Sequence, residues 1–190
     1  METKSEDVPA VASSALHVKD SDTGITARNI IKAKAVVRVG DDRLRKFLPV
    51  AEAISDLSKD RSTKVGAIAL GPHFDIRATG YNGMPRGCNE NDMSRHERPE
   101  KYLWFEHAER NLVYNAARNG VKLEGCTLIV TPLPPCMDCA RAIVQSGFVR
   151  VIAASRMTEN SKWRESVEYA RRLFAECGVD YTEWRLEDNS

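Results

Sequence analysis

The chain has 190 residues, a formal net charge of +1 and a hydrophobic fraction of 42%. This length fits one domain of ordinary size with a tail, and the hydrophobic fraction is enough for a single core. Because the net charge is close to zero, no strong positive field favours nucleic acid or anionic lipid. No apolar run approaches the roughly 18 residues that a membrane span requires.

The N-terminus and the cysteines indicate a reducing compartment. Residues 1–7 carry acids and lack the apolar segment of a secretory signal. The five cysteines form an odd number, which favours reduced thiols and metal ligation over a disulfide framework. We therefore expect a cytoplasmic protein.

In chain order, the sequence predicts a flexible tail followed by one α/β domain. Residues 1–40 show no sustained hydrophobic period, so we place a tail there and the domain at 41–190. Whether the tail is only a linker or binds a partner stays open. Helical spacing and apolar runs predict the elements that follow. The predicted helices are 43–58, 106–119, 136–145 and 162–177. The predicted strands are 64–70, 75–81, 126–131, 149–154 and 179–184.

This order of elements predicts a three-layer α/β/α fold with helices on both faces of the sheet. Pro49 either kinks the first helix or lies in its first turn. The charged, irregular segment 89–101 is expected to be an exposed insertion. The last helix carries a stripe that we expect to be core. The stripe consists of Trp163, Val167, Ala170, Leu173 and Phe174.

Two short motifs carry the chemistry, His107-Ala108-Glu109 and Pro135-Cys136-Met137-Asp138-Cys139. One imidazole and two thiolates are donors that Zn²⁺ prefers, and the thiols lie three apart on one helix face. Both motifs fall at predicted helix N-termini, where the positive dipole end stabilises thiolates. Glu109 would block a water position if it were a ligand, so we expect it to shuttle protons beside a zinc-activated water.

The alternative for this cluster is a structural zinc site closed by four protein ligands. Cys88, His96 or Cys126 would then supply the fourth ligand. A structural site has no need for Glu109, which favours the catalytic interpretation. We interpret Cys88 and His96 as unliganded, and Cys126 and Cys177 as small core residues.

Three polar positions have two interpretations each. Lys64, which follows Ser62 and Thr63, either holds an anion or is a solvated turn lysine. Asn82 either contacts a sugar hydroxyl or adopts a left-handed turn conformation beside Gly83. Arg118 is either solvated or an anion contact at a subunit boundary.

Together, four segments resemble the deoxycytidylate (dCMP) deaminases, with similarity from about residue 43 to residue 154. They are Ser62-Thr63-Lys64-Val65-Gly66, Thr79-Gly80-Tyr81-Asn82-Gly83-Met84-Pro85-Arg86-Gly87-Cys88 and the two metal motifs. The HAE and PCxxC motifs are shared with tRNA adenosine deaminases, guanine deaminases and the riboflavin-pathway deaminase. The GYNGxPxGC loop is more discriminating and points to the dCMP deaminases.

The resemblance implies a cytidine-deaminase-like fold with a mixed five-stranded sheet and a zinc-dependent hydrolase that converts dCMP to dUMP for thymidylate synthesis. It implies a homo-oligomer, often a hexamer, activated by dCTP and inhibited by dTTP with Mg²⁺. His107, Cys136 and Cys139 match the zinc ligands, and Glu109 matches the proton shuttle. Asn82 matches a nucleotide contact, and Ser62 and Lys64 match a phosphate contact. The expected effector or interface positions are Gly83, Met84, Pro85, Arg86, Gly87 and Arg118.

This sequence departs from the family pattern in three places. The segment before Cys136 is one residue longer than usual, Arg156-Met157 replaces a typical tyrosine, and the tail has no counterpart. One functional alternative is a deaminase of the same mechanism that acts on another cytidine nucleotide or base. The other is a non-catalytic, zinc-stabilised nucleic-acid-binding module, which the near-neutral charge disfavours.

Overall fold

The computed structural model describes residues 41–186, so the predicted tail at 1–40 lies outside the described residues. Helices and strands alternate along this range. The helices are α1 (Asp41–Arg45), α2 (Leu48–Asp56), α3 (Lys101–Trp104), α4 (Ala108–Arg118), α5 (Met137–Gln145) and α6 (Arg164–Glu176), with a 3₁₀ helix at Met93–His96. The strands are β1 (Gly66–Leu70), β2 (Ile76–Tyr81), β3 (Thr127–Thr131), β4 (Arg150–Ser155) and β5 (Asp180–Arg185).

The five strands form one mixed sheet in the order β2-β1-β3-β4-β5. Strand β1 is antiparallel to both β2 and β3, whereas β3, β4 and β5 are parallel to one another. The β1–β2 hairpin accounts for the antiparallel edge, and helices α5 and α6 connect the parallel strands. The predicted mixed five-stranded sheet is therefore confirmed.

Helices cover both faces of the sheet, because side chains alternate between the faces along each strand. In β1, Ala67 and Ala69 belong to the larger apolar core, whereas Ile68 and Leu70 belong to the smaller one. Residues of α4, α5 and α6 complete the larger core, and residues of α1 and α2 complete the smaller one. The predicted three-layer architecture is confirmed. No helix within residues 41–186 is long and apolar enough to cross a bilayer.

Gly80 in β2 sets the position of α4 and therefore of the first metal motif. A Cβ at Gly80 would lie 2.3 Å from the carbonyl oxygen of Ala108 and 2.4 Å from the backbone nitrogen of Leu112. Only glycine permits this close approach of the α4 backbone to the sheet. The N-terminus of α4, with His107 and Glu109, is thus held directly against the end of the sheet.

Several element predictions need correction. The helix expected at 43–58 is two helices, α1 and α2. Of the two interpretations of Pro49, its place in the first turn is confirmed, because it lies at the start of α2, where its missing N–H has no intrahelical role. Segment 89–101 is not a wholly exposed insertion, because it contains a 3₁₀ helix and ends at the buried Lys101. Cys126 is buried as expected, but Cys177 is exposed because it follows the end of α6.

Candidate metal centre and cleft

Three donor atoms converge where α4 and α5 begin. His107 is the N-cap residue of α4, and Cys136 is the N-cap residue of α5. The Nδ1 atom of His107 lies 3.4 Å from the Sγ atom of Cys136 and 3.4 Å from that of Cys139. All three donors lie within 4.8 Å of one another. This group has the composition and compactness of a metal centre.

The donor geometry fits tetrahedral zinc. With Zn–S of about 2.3 Å and Zn–N of about 2.0 Å, tetrahedral angles put sulfur and nitrogen about 3.5 Å apart, close to the 3.4 Å in this chain. Within the described residues, Cys88, His96 and Cys126 do not join the group. The described residues therefore offer three donors at this group, the number expected for a zinc site that keeps one position for water.

The surroundings of the two thiols favour a thiolate at Cys136 but not at Cys139. Hydrogen bonds with Cys139 and with His107 lower the pKa of Cys136 to about 4, despite its burial. The pKa of Cys139 is raised by the hydrogen bond with Cys136 and by burial. Zinc binding would hold both sulfur atoms as thiolates, because only the deprotonated thiol is a metal ligand. Ser166 of α6 accepts a hydrogen bond from the backbone N–H of Met137, which fixes the start of α5.

Glu109 lies in the first turn of α4 but is not one of the ligating group. Its residue is 3% exposed, and it lines the same cleft as His107 and Cys136. Burial raises the pKa of Glu109, and the attraction of His107 opposes this shift. A buried carboxyl group in the same cleft as three zinc donors is suited to accept and return a proton.

The metal group opens into a cleft of about 330 Å³. One wall is aromatic: the Trp163 ring packs edge-on against His107 with centroids 5.7 Å apart, and Tyr102 packs edge-on against Trp163 at 6.2 Å. Trp163 is therefore not only a core residue, as its helical spacing suggested, because it also forms the wall beside the metal ligand. The other uncharged lining residues are Thr63, Val65, Asn82, Phe105, Ala108, Leu133, Pro134, Met157 and Ser166.

Two of the departures from the family pattern line this cleft. Leu133 and Pro134, in the longer segment before Cys136, form part of the rim of the cleft. Met157 also lines the cleft, and it belongs to the Arg156-Met157 pair that replaces the family's tyrosine. Arg156 is exposed and does not line the cleft. The thioether of Met157 therefore forms part of the cleft wall, and the Trp163 ring supplies an aromatic surface.

Asn82 is fixed by a buried polar network. Its Oδ1 atom accepts a hydrogen bond from the Val65 backbone N–H at 2.8 Å, and its Nδ2 atom donates to Asp60 and to the Thr63 carbonyl. Asp60 in turn pairs with Lys101 at 2.6 Å, and both side chains are less than 10% exposed. The left-handed conformation considered for Asn82 is wrong, since among the described non-glycine residues only Phe74 has a positive φ.

The structure places Ser62 and Lys64 outside the cleft. Both residues are exposed, and neither lines the cavity that contains the metal group. The ammonium of Lys64 donates instead to the carbonyl of Asp56 at the end of α2. The phosphate role that the resemblance implies for these two residues therefore finds no support in the geometry.

The loop 83–87 lines a second cavity of about 500 Å³. All five of its residues contribute, and Gly83 is paired with Glu106 through two backbone hydrogen bonds. Arg86 contacts Asn115 of α4. Arg118 is exposed at the end of α4 and lines neither this cavity nor the cleft. The expected effector loop thus borders a cavity, whereas Arg118 does not.

The fold and this site define a class of protein, the zinc-dependent deaminases. Residues 41–155, more than half of the chain, match the family model described as the cytidine and deoxycytidylate deaminase zinc-binding region. The chain belongs to this family. It is therefore an enzyme of the hydrolase type with Zn²⁺ as its metal.

The chain is similar to proteins named deoxycytidylate deaminase from several organisms. It is 34% identical over 140 residues to the human protein, covering 71% of this chain and 75% of that one. It is 36% identical to the mouse protein over the same length. It is also 37% identical to an uncharacterised deaminase in the luxG 3′ region of Aliivibrio fischeri, of which it covers 90%.

Solved structures show the same fold. The dCMP deaminase of cyanophage S-TIM5 in apo form superposes with a TM-score of 0.57 at 27% identity, covering 76% of this chain and 98% of that one. The same phage enzyme in complex with dCMP and dUMP gives a TM-score of 0.59 at 24% identity. The predicted cytidine-deaminase-like fold is confirmed.

Proposed function

We propose that this chain catalyses the hydrolytic deamination of dCMP to dUMP and ammonia, which supplies dUMP for thymidylate synthesis. One observation carries the proposal: a three-donor metal group and a buried, non-ligating Glu109 open into one cleft. The similarity to deoxycytidylate deaminases from mammals supports dCMP as the substrate.

Glu109 moves the protons in this proposal. When bound, zinc supplies the Lewis acidity that lowers the pKa of a coordinated water to about 7. Glu109 accepts a proton from the attacking water and delivers it to N3 of cytosine as the oxygen bonds to C4. Glu109 then takes the proton of the hydroxyl group formed on C4 and passes it to the amino nitrogen. The C4–N bond breaks, ammonia leaves and the C4 oxygen becomes the carbonyl oxygen of dUMP. One water is consumed for each dCMP converted.

Asn82 and Trp163 position the nucleotide. Both hydrogens of the Asn82 amide are used within the chain, but Oδ1 retains one lone pair beyond its bond to Val65. That lone pair is available to a sugar hydroxyl from the cleft. Trp163 offers an aromatic surface beside the metal group, which suits stacking with a base.

A non-catalytic zinc module is the weaker alternative. Within residues 41–186, no lysine or arginine forms an ion pair with Glu109, although the residue is 3% exposed. Burying a carboxyl group without such a partner is costly. A purely structural zinc site has no use for a buried carboxyl group that does not bind the metal, whereas a catalytic site uses it to carry protons.

We also propose regulation by dCTP and dTTP with Mg²⁺, in a homo-oligomer that includes the second cavity. The cavity is lined by the loop 83–87 and by three exposed apolar side chains, Leu57, Tyr81 and Tyr114. Exposed apolar groups gathered around one cavity suit an interface with another copy of the chain.

Ammonia release from a panel of nucleotides tests the proposed activity. We expect dCMP to be deaminated with a kcat/KM at least about tenfold above those for CMP, dCTP, deoxycytidine and adenosine nucleotides. The same assay with dCTP or dTTP and Mg²⁺ should show activation and inhibition, respectively. A different preferred base, or no turnover together with salt-sensitive binding of single-stranded DNA, would overturn the assignment.

A further inference from the structure

A buried network of polar groups surrounds Asn82 at one side of the metal cleft. Asp60, Thr63, Asn82 and Lys101 all line this cleft. Asp60 is 5% exposed, and Asn82 and Lys101 are each 7% exposed. Burying the Asp60 carboxylate and the Lys101 ammonium costs free energy, which their attraction offsets only when the other donors and acceptors around them are also satisfied. What these satisfied contacts fix is the orientation of the Asn82 amide.

The amide of Asn82 has two orientations related by a half-turn, and its neighbours permit only one of them. Its Nδ2 atom donates to the Oδ2 atom of Asp60 at 2.8 Å and to the Thr63 carbonyl at 2.9 Å. Its Oδ1 atom accepts from the Val65 N–H at 2.8 Å. A half-turn would place Oδ1 against two acceptors and Nδ2 against a donor. The network therefore keeps Oδ1, an acceptor, as the atom with a free lone pair for a ligand.

Asp60 presents one carboxylate oxygen to each side of this network. Its Oδ1 atom accepts from the Lys101 ammonium at 2.6 Å and from the backbone N–H groups of Ser62 and Thr63 at 2.7 and 3.2 Å. Because three donors hold Oδ1, the oxygen that Asn82 contacts is Oδ2. An asparagine at position 60 would have to keep its oxygen toward these three donors. Its NH₂ group would then face the NH₂ group of Asn82, and the two would repel each other.

The proposed substrate offers one free sugar hydroxyl, at C3′, because its 5′ oxygen carries the phosphate and its C2′ carries no oxygen. That hydroxyl needs an acceptor in order to donate a hydrogen bond. We propose that Asp60, held by Lys101, is a positioning residue that keeps the Asn82 acceptor available to the 3′-hydroxyl, so that recognition of this hydroxyl depends on Asp60. This inference rests on the proposed function and deepens it, since it names the group that orients the sugar contact.

Calorimetry with the zinc-loaded full chain tests this role with two ligands that are not turned over. They are dUMP and 2′,3′-dideoxyuridine 5′-monophosphate, which differ only in the 3′-hydroxyl. We expect the wild type to bind dUMP roughly 3- to 10-fold more tightly, the contribution of one neutral hydrogen bond. In D60N the two Kd values should agree within about twofold, because the Asn82 amide loses its fixed orientation.

The K101M variant separates positioning from stability. It also breaks the buried ion pair, so both D60N and K101M should unfold at lower urea concentrations than the wild type. K101M keeps the Asp60 carboxylate that accepts from Asn82, and it should therefore retain the preference for dUMP that D60N loses. The control outside the cleft is E183Q, which removes the partner of Arg171. It should also retain the preference.

A measurement on the wild type keeps the inference testable if D60N does not fold. The 3′-fluoro analogue of the dideoxy ligand offers no donor at C3′, so it should bind as weakly as the dideoxy ligand itself. The inference is refuted if D60N keeps the preference, if K101M loses it equally, or if the fluoro analogue binds as tightly as dUMP. A preference that depends on Asp60, without ammonia release from dCMP, would refute only the proposed activity. A wild type that does not bind dUMP would refute both.

Discussion

Replacing Glu109 by glutamine is expected to lower kcat for dCMP by roughly 10³-fold, because general acid–base catalysis contributes about 10²–10⁴-fold and glutamine cannot carry the proton. The side chain keeps its size within the buried site, so the fold should be unaffected. Glu109 is not in the ligating group, so zinc should remain at one per chain. The measurement is steady-state ammonia release with zinc analysis of the same sample.

The matched control for this variant is E165Q. Glu165 occupies the first turn of α6, as Glu109 does in α4, but it is exposed and does not line the cleft. Its replacement should leave both kcat and zinc content at wild-type values. Wild-type turnover in E109Q would remove Glu109 from the mechanism, whereas loss of zinc in E109Q would make it a ligand.

The C139S variant is expected to lose zinc and all measurable turnover. Cys139 is fully buried and contributes one of three donors, and a serine hydroxyl is a much poorer zinc ligand than a thiolate. Because metal binding is coupled to folding, we also expect the free energy of unfolding to fall by more than about 4 kcal/mol. Zinc analysis and urea unfolding of the purified variant measure these losses.

C177S is the control for the change from cysteine to serine. Its thiol is exposed after the end of α6, far along the chain from both motifs. Zinc content, turnover and stability should match the wild type. If C139S retained one zinc per chain with wild-type stability, the metal would have to be held by other residues.

The metal motifs could be predicted from the sequence because their spacing is local. His107 and Glu109 are two residues apart and Cys136 and Cys139 three, so helix geometry alone brings each pair to one face. What the sequence could not show is that both helices begin at the same end of the sheet. The close approach at Gly80 fixes the position of α4 against the sheet, and it depends on tertiary packing.

The rest of the cleft could not be predicted, since it depends on contacts between distant segments. The sequence predicts an exposed position for Lys101 because its buried partner, Asp60, lies 41 residues earlier. Helical spacing predicts a core position for Trp163, because this spacing does not distinguish a core face from a cleft wall. Asn82 was considered for a left-handed turn because an Asn-Gly pair favours one, but the hydrogen bonds with Val65 and Asp60 hold it otherwise.

The most direct test of the account is X-ray absorption spectroscopy at the zinc edge, on active protein with one zinc per chain. Three protein donors, of which two are thiolates, predict a zinc site with two sulfur ligands and two light-atom ligands, one imidazole nitrogen and one oxygen from water. A site filled by four protein ligands, with no oxygen and no change when dUMP is added, would contradict it.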